Sequence, residues 1–346
     1  MMTLKELKSV GRTLTLFLLL FKSCFKNLAG RKLLRVYVSG LLSDLQRKNC
    51  EAIALEFDTC PRTLQRFLES IKWDEEMLRD QCQEIVVRDH AHPEAIGLID
   101  ESGIGKSGTQ TAGVGRPKKT PRVAAGWTPS EVQNLLKHSL KFYLQSWQNY
   151  RIKDTDKGPE VWKLKHLTVW RQTSDHLPSI RHTLIIARSV RTGETKFFIA
   201  TGVVGEDEVT LRGLLRVAFG RWAIEAEFRI SKEELGLDHF VARGWRCIHR
   251  HYYLTGLSFL LCSRIRQSLN KSDTGRLTVE QVRRSISVCL QFRDLPEEKL
   301  QRELNKQAYY QRRNTQAIKS HTKTRIKLYA SLGIDVEKIK SCVQSI

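Results

Sequence analysis

Hydrophobic positions recur at helical spacing along the N-terminal part of the chain, with few strand signals. Residues 50–57 follow Asn49, a residue type that caps helices, and Pro61 suits the first position of another helix. The residues between, 58–60, are typical of a tight turn. The pattern therefore predicts a helix, a three-residue turn and a second helix.

Helix, short turn and helix is the arrangement of the helix-turn-helix, which is a DNA-binding motif. In that interpretation the second helix presents Arg62, Gln65 and Arg66 to DNA. A plain helical hairpin with a solvated basic face fits the same residues equally well, because the pattern has little specificity.

The periodicity changes beyond residue 93. An apolar run, 95–99, predicts a buried strand that ends at Asp100. Residues 128–131 form a capping box that opens a helix to about Gln145. Further strands are predicted at 163–171, 180–190 and 195–201, and further helices at 207–217, 219–235 and 245–268.

From about residue 269 the pattern is basic and helical, with little apolar period near its end. Arg312, Arg313 and Lys323 in this run are predicted to lie on the surface and contact phosphates, although a merely solvated tail fits as well. The chain is thus predicted to be α+β, with a helical domain at 1–90, a sheet-containing domain at 94–268 and a basic helical tail at 269–346.

Composition points to a polyanionic partner. The 346 residues carry a formal net charge of +21, which favours nucleic acid. The apolar run 14–21 is too short to span a membrane and predicts a buried or amphipathic helix. The eight cysteines form no Cys-x-x-Cys pair, so zinc-finger spacing is absent and a reducing cytoplasm is expected.

Candidate chemistry lies on two acids, Asp100 and Glu225. Arg221, Glu225 and Lys232 fall within roughly 40° of one another on a helical face. An acid at a strand end, an acid on a helix and neighbouring cations are how a two-metal phosphoryl-transfer site is assembled, so we predict that the two carboxylates face one pocket. Ordinary helix ion pairs give the same spacing. An apolar stripe is predicted to adjoin this row: Ile224, Phe228 and Leu235.

These residues resemble a known family. Leu-Ile-Asp-Glu at 98–101, followed much later by the segment from Arg221 to His239, is similar to bacterial insertion-sequence DDE transposases. The similarity is to the branch whose glutamate helix carries a Tyr-Arg-Glu-Lys signature. Further similar segments are 40–49, 113–116, 157–159, 312–314 and 320–323.

The resemblance implies an RNase H-like catalytic domain with flanking helices that binds two divalent ions, Mg²⁺ or Mn²⁺. Asp100 matches the first acid of the family and Glu225 the third, while Arg221 and Lys232 match basic residues of the signature. Ala218 stands where the signature has Tyr. The implied partners are double-stranded insertion-sequence ends and a second copy in a synaptic dimer, in a nucleoid-associated cytoplasmic protein without a membrane segment.

One departure from the family is large. After Arg116 the chain passes directly into 117–122, which resembles the sequence that follows the central strands in the family. In the family the second catalytic Asp stands in an Asp-x-x-Tyr-Gly-like context. No Asp of this chain is followed by a Tyr-Gly pair, so the resemblance implies that the second catalytic Asp is missing. An in-frame internal deletion after about residue 116 is the simplest account, and it implies an incomplete mixed sheet and an incomplete metal site.

Three hypotheses follow. In the first, the chain is a transposase-family protein that binds insertion-sequence ends for metal-dependent cleavage and strand transfer, impaired by the missing Asp. In the second, it is a non-catalytic DNA-binding remnant or an inhibitor of an intact transposase. In the third, it is a decayed copy that does not fold stably, since lost central strands uncover sheet edges.

Overall fold

A computed structural model describes residues 4–92, 140–172, 178–206, 209–220, 222–269, 277–291 and 297–342. By internal contacts the chain divides into a helical unit, residues 1–117 and 223–315, and a sheet unit, residues 118–222 and 316–346. The described elements are both α and β, as predicted, and the mixed sheet is consistent with an RNase H-like fold. None of the described helices is long and apolar enough to cross a membrane.

The helical unit contains a short 3₁₀ helix at Lys22–Cys24 and most of the α-helices. In chain order these are α1 (Leu4–Leu19), α2 (Leu28–Leu42), α3 (Cys50–Glu56), α4 (Pro61–Glu69), α5 (Glu75–His90), α8 (Trp222–Leu235), α9 (Trp245–Leu269), α10 (Val279–Gln291) and the first part of α11 (Glu297–Ser331). The sheet unit contains α6 (Leu140–Leu144), α7 (Leu211–Gly220) and the last part of α11.

Local signals in the sequence set the helix boundaries. The side chain of Asn49 accepts a hydrogen bond from the Ala52 amide at the start of α3, and Pro61 occupies the first turn of α4. Between the two helices Asp58 has a φ of 48°, in the left-handed region that Asp tolerates better than most residues. The predicted helix–turn–helix backbone is therefore confirmed, whereas its role in DNA binding stays a prediction.

One apolar core joins the early and late helices of the helical unit. Leu34 and Leu41 of α2 and Leu64 of α4 share this core with Leu254 of α9 and Ile286 of α10. The predicted boundaries at 94 and 268 do not coincide with this division, because α8, α9 and α10 pack in the same unit as the N-terminal helices. Residues 279–291, predicted as part of a basic tail, thus supply core side chains rather than a solvated surface alone.

The sheet has the order β4-β3-β2-β1-β5, antiparallel from β1 to β4, with β5 parallel to β1. The strands are β1 (Gln148–Thr155), β2 (Gly158–Gln172), β3 (Pro178–Ser189), β4 (Thr195–Thr201) and β5 (Lys340–Ser341). The three predicted strands correspond to β2, β3 and β4. The predicted Asp100 strand and most of the helix predicted from 128 lie outside the described residues.

Three apolar clusters of described residues include strand residues, and one of them joins Leu184 and Ile186 of β3 to Phe142 of α6. Trp162 and Ile185 pack with Leu215 and Phe219 of α7 on one face. Elsewhere in the unit, Val161 packs with Tyr329 near the end of α11.

Gly158, at the turn between β1 and β2, has a φ of 91°, and a Cβ there would lie 2.7 Å from the Thr322 Cα. Within the Lys157-Gly158-Pro159 segment, position 158 therefore makes a close backbone contact that only glycine permits.

Candidate functional site

The predicted DNA-reading residues share the outer side of α4. Leu64, Phe67 and Leu68 bury the inner side of this helix, whereas Arg62 and Arg66 are exposed and Gln65 is half-buried. The Arg62 Nη1 lies 3.3 Å from Gln65 Oε1 and 3.4 Å from Glu69 Oε2. Since exposed pairs of this kind are worth about 0–1 kcal/mol, Arg62 can leave Glu69 for a phosphate or a base at little cost.

Arg250, on α9, holds the C-terminal end of α4. Its guanidinium is fully buried and donates to the carbonyl oxygens of Phe67 (3.1 Å), Leu68 (3.2 Å), Ile71 (2.9 Å) and Trp73 (3.3 Å). The last carbonyls of a helix have no partner within the helix, so Arg250 supplies the missing donors.

A carboxylate completes the environment of this buried cation. Arg250 Nη2 donates to Glu75 Oε2 at 2.8 Å, and the guanidinium lies 4.4 Å from the centre of the Trp73 ring. Arg246 donates to the same carboxylate at 2.7 Å. Burial alone raises the pKa of Glu75, but the hydrogen bonds from Arg246 and Arg250 outweigh it and lower the pKa to about 2. Glu75 is therefore ionised at neutral pH and balances the buried charge.

The second candidate element is α8, the helix of Glu225. Glu225 lies in its first turn and is exposed, Lys232 is half-buried, and Arg221 lies outside the described residues. Of the predicted apolar stripe, Leu235 is fully buried in the core, whereas Ile224 and Phe228 are half-buried. Burial thus increases towards the C-terminal end of α8, which leaves the Glu225 end the more exposed one.

Buried ion pairs fix the C-terminal end of α8. Arg283 of α10 donates to Glu234 Oε2 at 2.8 Å, to Asp44 Oδ1 at 2.7 Å and to the carbonyl of Ser43 at 2.9 Å. Arg284 contacts the same Glu234 at 3.7 Å from a half-exposed position. A buried cation with oxygen partners both on α8 and on the residues that follow α2 ties α8 to α10 and to the end of α2.

The segment after α8 continues this attachment. Gly236 has a φ of 70°, and its carbonyl lies 2.9 Å from His251 Nε2, while Tyr37 Oη lies 2.8 Å from His251 Nδ1. The Lys48 amide donates to His239 Nδ1 at 3.0 Å. The Gly-Leu-Asp-His sequence that contributed to the family resemblance is therefore an anchoring segment.

Lys48 is a buried amine beside this segment. Its Nζ donates to the carbonyls of Leu41 at 2.6 Å and Ser43 at 2.5 Å. Burial, together with the nearby Arg283 charge, lowers the pKa of Lys48 to about 7.

The predicted phosphate contacts in the C-terminal run are surface residues of α11. Arg312, Arg313 and Lys323 are all exposed. Arg313 Nη1 donates to Tyr309 Oη at 3.0 Å, and its guanidinium lies 5.8 Å from that ring. Exposed side chains are expected both for phosphate binding and for a merely solvated run. Phosphate binding by these residues therefore stays a prediction.

Metal ligands are the least complete part of the predicted site. Among the described residues no group of three or more His, Cys, Asp or Glu side chains could hold a metal ion. Asp100 lies outside them, and Glu225 by itself supplies one carboxylate, whereas Mg²⁺ prefers octahedral coordination by oxygens. The predicted pairing of Asp100 with Glu225 is therefore a prediction still.

Comparison of the sequence with known protein families gives a match. Residues 20–174 match the family model described as DDE superfamily endonuclease. The DDE match covers α2 to α5, the segment that contains Asp100 and the first strands, a little under half of the chain, and ends before α8. It supports a transposase-like nuclease of the DDE type. No curated protein and no solved structure matches the chain.

Several residues that shape the site were not predicted. Arg250, Arg283 and His251 are buried polar groups with partners distant in sequence. Lys48 is also buried, but its amine donates to carbonyls only five and seven positions away. One signal was present, since Arg250 and His251 lie at helical spacing between the apolar residues Cys247 and Leu254, and a buried charge requires dedicated partners.

Proposed function

We propose that this chain is a transposase-family protein that binds the ends of an insertion sequence and is impaired in DNA cleavage. The DDE match carries the proposal, because that class implies a DNA substrate and generally uses divalent metals. The net charge of +21 supports a polyanionic partner. The bacterial branch with a Tyr-Arg-Glu-Lys signature, the internal deletion and nucleoid association belong to the same proposal.

DNA recognition is assigned to α4. Its exposed face carries Arg62, Gln65 and Arg66, which are the side-chain types that read guanine and adenine edges in the major groove. The five donor contacts of Arg250 hold the end of this helix and the following turn in one geometry. Arg312, Arg313 and Lys323 of α11 are assigned to phosphates, which position the protein without reading sequence.

Chemistry is assigned to Asp100 and Glu225 as ligands of Mg²⁺ or Mn²⁺, with Arg221 and Lys232 beside the phosphate. A two-metal site holds its ions about 3.5–4 Å apart, so a missing carboxylate costs both metal affinity and geometry. Of the acids that could replace it, Asp154 is already engaged, because both of its oxygens accept hydrogen bonds from Arg151, at 3.0 Å and 2.9 Å. Asp156 lies in the turn after β1, and Asp175 lies outside the described residues.

A second candidate is a non-catalytic DNA-binding protein that inhibits an intact transposase by occupying its ends or joining its dimer. It is favoured by the missing second Asp, which in the family stands in an Asp-x-x-Tyr-Gly-like context. Tight binding to DNA ends without any cleavage distinguishes this candidate from an active enzyme.

Fluorescence anisotropy with duplexes from the DNA that flanks the gene tests the proposal. We expect Arg62→Ala and Arg66→Ala to lower the preference for the cognate duplex over a scrambled one by about 1–3 kcal/mol each. Lys323→Ala should weaken binding to both duplexes equally. Arg229→Ala is the matched control, because this exposed arginine of α8 also pairs with a surface glutamate, Glu233, at 3.1 Å.

Two outcomes contradict the assignment. Equal affinity for cognate and scrambled duplexes rejects end recognition. Uniform weakening by Arg62→Ala, Arg66→Ala and Lys323→Ala rejects α4 as the recognition helix.

A further inference from the structure

A groove lies beside α4, within the helical unit. Its volume is about 350 Å³, and Gln65, Leu68 and Glu69 of α4 form one wall. The opposite wall is the segment that follows α8, with Phe240, Val241 and Ala242, then Arg243 and Gly244. The face assigned to DNA recognition thus continues onto the chain between α8 and α9.

The rim of this groove carries an exposed aromatic ring and exposed cations. Trp245, next to Gly244, is 63% exposed although indole is normally mostly buried, and its ring centre lies 4.1 Å from that of His249. Arg243 and Arg246 are exposed on either side of it in sequence. Val241, 62% exposed, adds apolar surface to the same rim.

Charge at the groove is suited to a polyanion. Arg62 and Arg66 lie on α4, and two acids lie nearby, Glu69 in the groove wall and Glu75 at the start of α5. Glu69 is paired with Arg62, and Glu75 with both Arg246 and Arg250. With Arg243 included, these arginines outnumber the two carboxylates, so the named groups together carry a net positive charge.

The two walls are held together rigidly. Arg250, one helical turn after Arg246, donates to the carbonyls of Phe67 and Leu68 at the end of α4. The start of α9 and the recognition face therefore keep a fixed spacing. A surface that presents cations and an indole at a fixed distance from base-reading side chains suits a duplex, whose backbone runs at a fixed distance from its base edges.

We propose that Arg243 and Trp245 form a second DNA contact, which binds the sugar–phosphate backbone beside the bases read by α4. Arg243 pairs with a phosphate, while the indole N–H of Trp245 donates to a phosphate oxygen and its ring packs against a deoxyribose. This contact rests on the proposed DNA binding and extends it to the chain immediately after the Glu225 helix.

The test is the salt dependence of DNA affinity for the full chain, measured by anisotropy on cognate and scrambled duplexes. Arg243→Ala should reduce the slope of log K against log salt by about 1, equally for both duplexes. Trp245→Ala should weaken binding about fivefold on both, less than a central hot-spot aromatic because the ring lies at the rim of the contact. Trp245→Phe, which keeps a ring but loses the N–H, should recover part of that loss.

Trp170→Ala is the matched control, because Trp170 of β2 is an equally exposed indole, at 59%, in the sheet unit. Circular dichroism confirms that each variant is folded. Unchanged slope and affinity in Arg243→Ala and Trp245→Ala overturn this contact while leaving the DNA-binding proposal intact. A loss of affinity in Trp170→Ala equal to that in Trp245→Ala has the same meaning. Absence of DNA binding by the unaltered chain overturns the proposed function, and this contact with it.

Discussion

Replacing Arg250 by Met tests how the recognition face is held. Methionine keeps most of the apolar stem but removes every donor, leaving the carbonyls of Phe67, Leu68, Ile71 and Trp73 without this partner. It also leaves the Glu75 carboxylate without its buried partner. Because Arg250 is fully buried, the change breaks a buried ion pair from one side.

The expected loss is about 3–5 kcal/mol in the free energy of unfolding, the range for removing one partner of a buried pair. Adding charged hydrogen bonds at about 1.5–3 kcal/mol each would give more, but contacts made by one group are not additive. Against a typical total of about 5–15 kcal/mol, the loss is large.

Arg246→Met is the matched control. Arg246 donates to the same Glu75 carboxylate, but its side chain is 54% exposed. We expect a cost of about 0–1 kcal/mol, since solvent screens the pair. The two substitutions therefore remove the same residue type from the same carboxylate and differ chiefly in burial.

Urea unfolding measures the global effect, and hydrogen exchange across residues 61–75 measures the local one. Arg250→Met should lower the unfolding midpoint and speed exchange in this segment, whereas Arg246→Met should do neither to a comparable degree. Equal effects of the two substitutions, within about 0.5 kcal/mol, would refute the account, because burial would then not decide the contribution.

Three further predictions concern the attachment of α8 and the segment after it. Arg283→Met should cost about 3–5 kcal/mol and Arg284→Met under about 1 kcal/mol in urea unfolding, because the first is 7% and the second 50% exposed. With the pKa of Lys48 near 7 in the folded state and near 10.5 when unfolded, stability should rise between pH 7 and 10.5, and Lys48→Met should flatten that rise. Gly236→Ala should cost about 2 kcal/mol or more in thermal melts, because the added Cβ would lie 2.8 Å from Lys48 Cβ, whereas Gly193→Ala, with a similar φ and open surroundings, should cost about 1 kcal/mol.

The acid side of the pH profile follows from Glu75. Its folded pKa, about 2, lies below the ordinary value of 4.5, so its contribution is complete above pH 4.5 and is lost as the pH falls towards 2. Glu75→Gln should therefore reduce stability at pH 7 and make the urea midpoint less sensitive to pH between 2 and 4.5. An unchanged acid profile would contradict this origin of the shift.

Local signals predicted much of the backbone. Asn49 and Pro61 identified α3 and α4 because capping and proline geometry act within one helical turn. β1 was missed, although Tyr150 and Ile152 alternate with polar residues before the turn at 156–157. The alternation is short, and charged neighbours conceal it.

The packing of the site could not be read from the sequence. Arg250 and Phe67 are 183 positions apart, and Arg283 and Asp44 are 239 apart, so no local periodicity connects them. Arg283 was counted with a basic tail because composition does not distinguish a solvated arginine from a buried one. Asp100 lies outside the described residues and the DDE match ends before Glu225, so the acid pair rests on the sequence pattern and on resemblance.

A cleavage assay on duplexes from the DNA that flanks the gene decides whether the missing Asp abolishes cleavage. The unaltered chain and Glu225→Ala are each incubated with labelled ends and Mn²⁺, at protein concentrations that saturate binding. We expect bound but uncut DNA with both proteins, because the two-metal site lacks a carboxylate. Robust cleavage by the unaltered chain that Glu225→Ala abolishes would contradict it, since another acid would then complete the site.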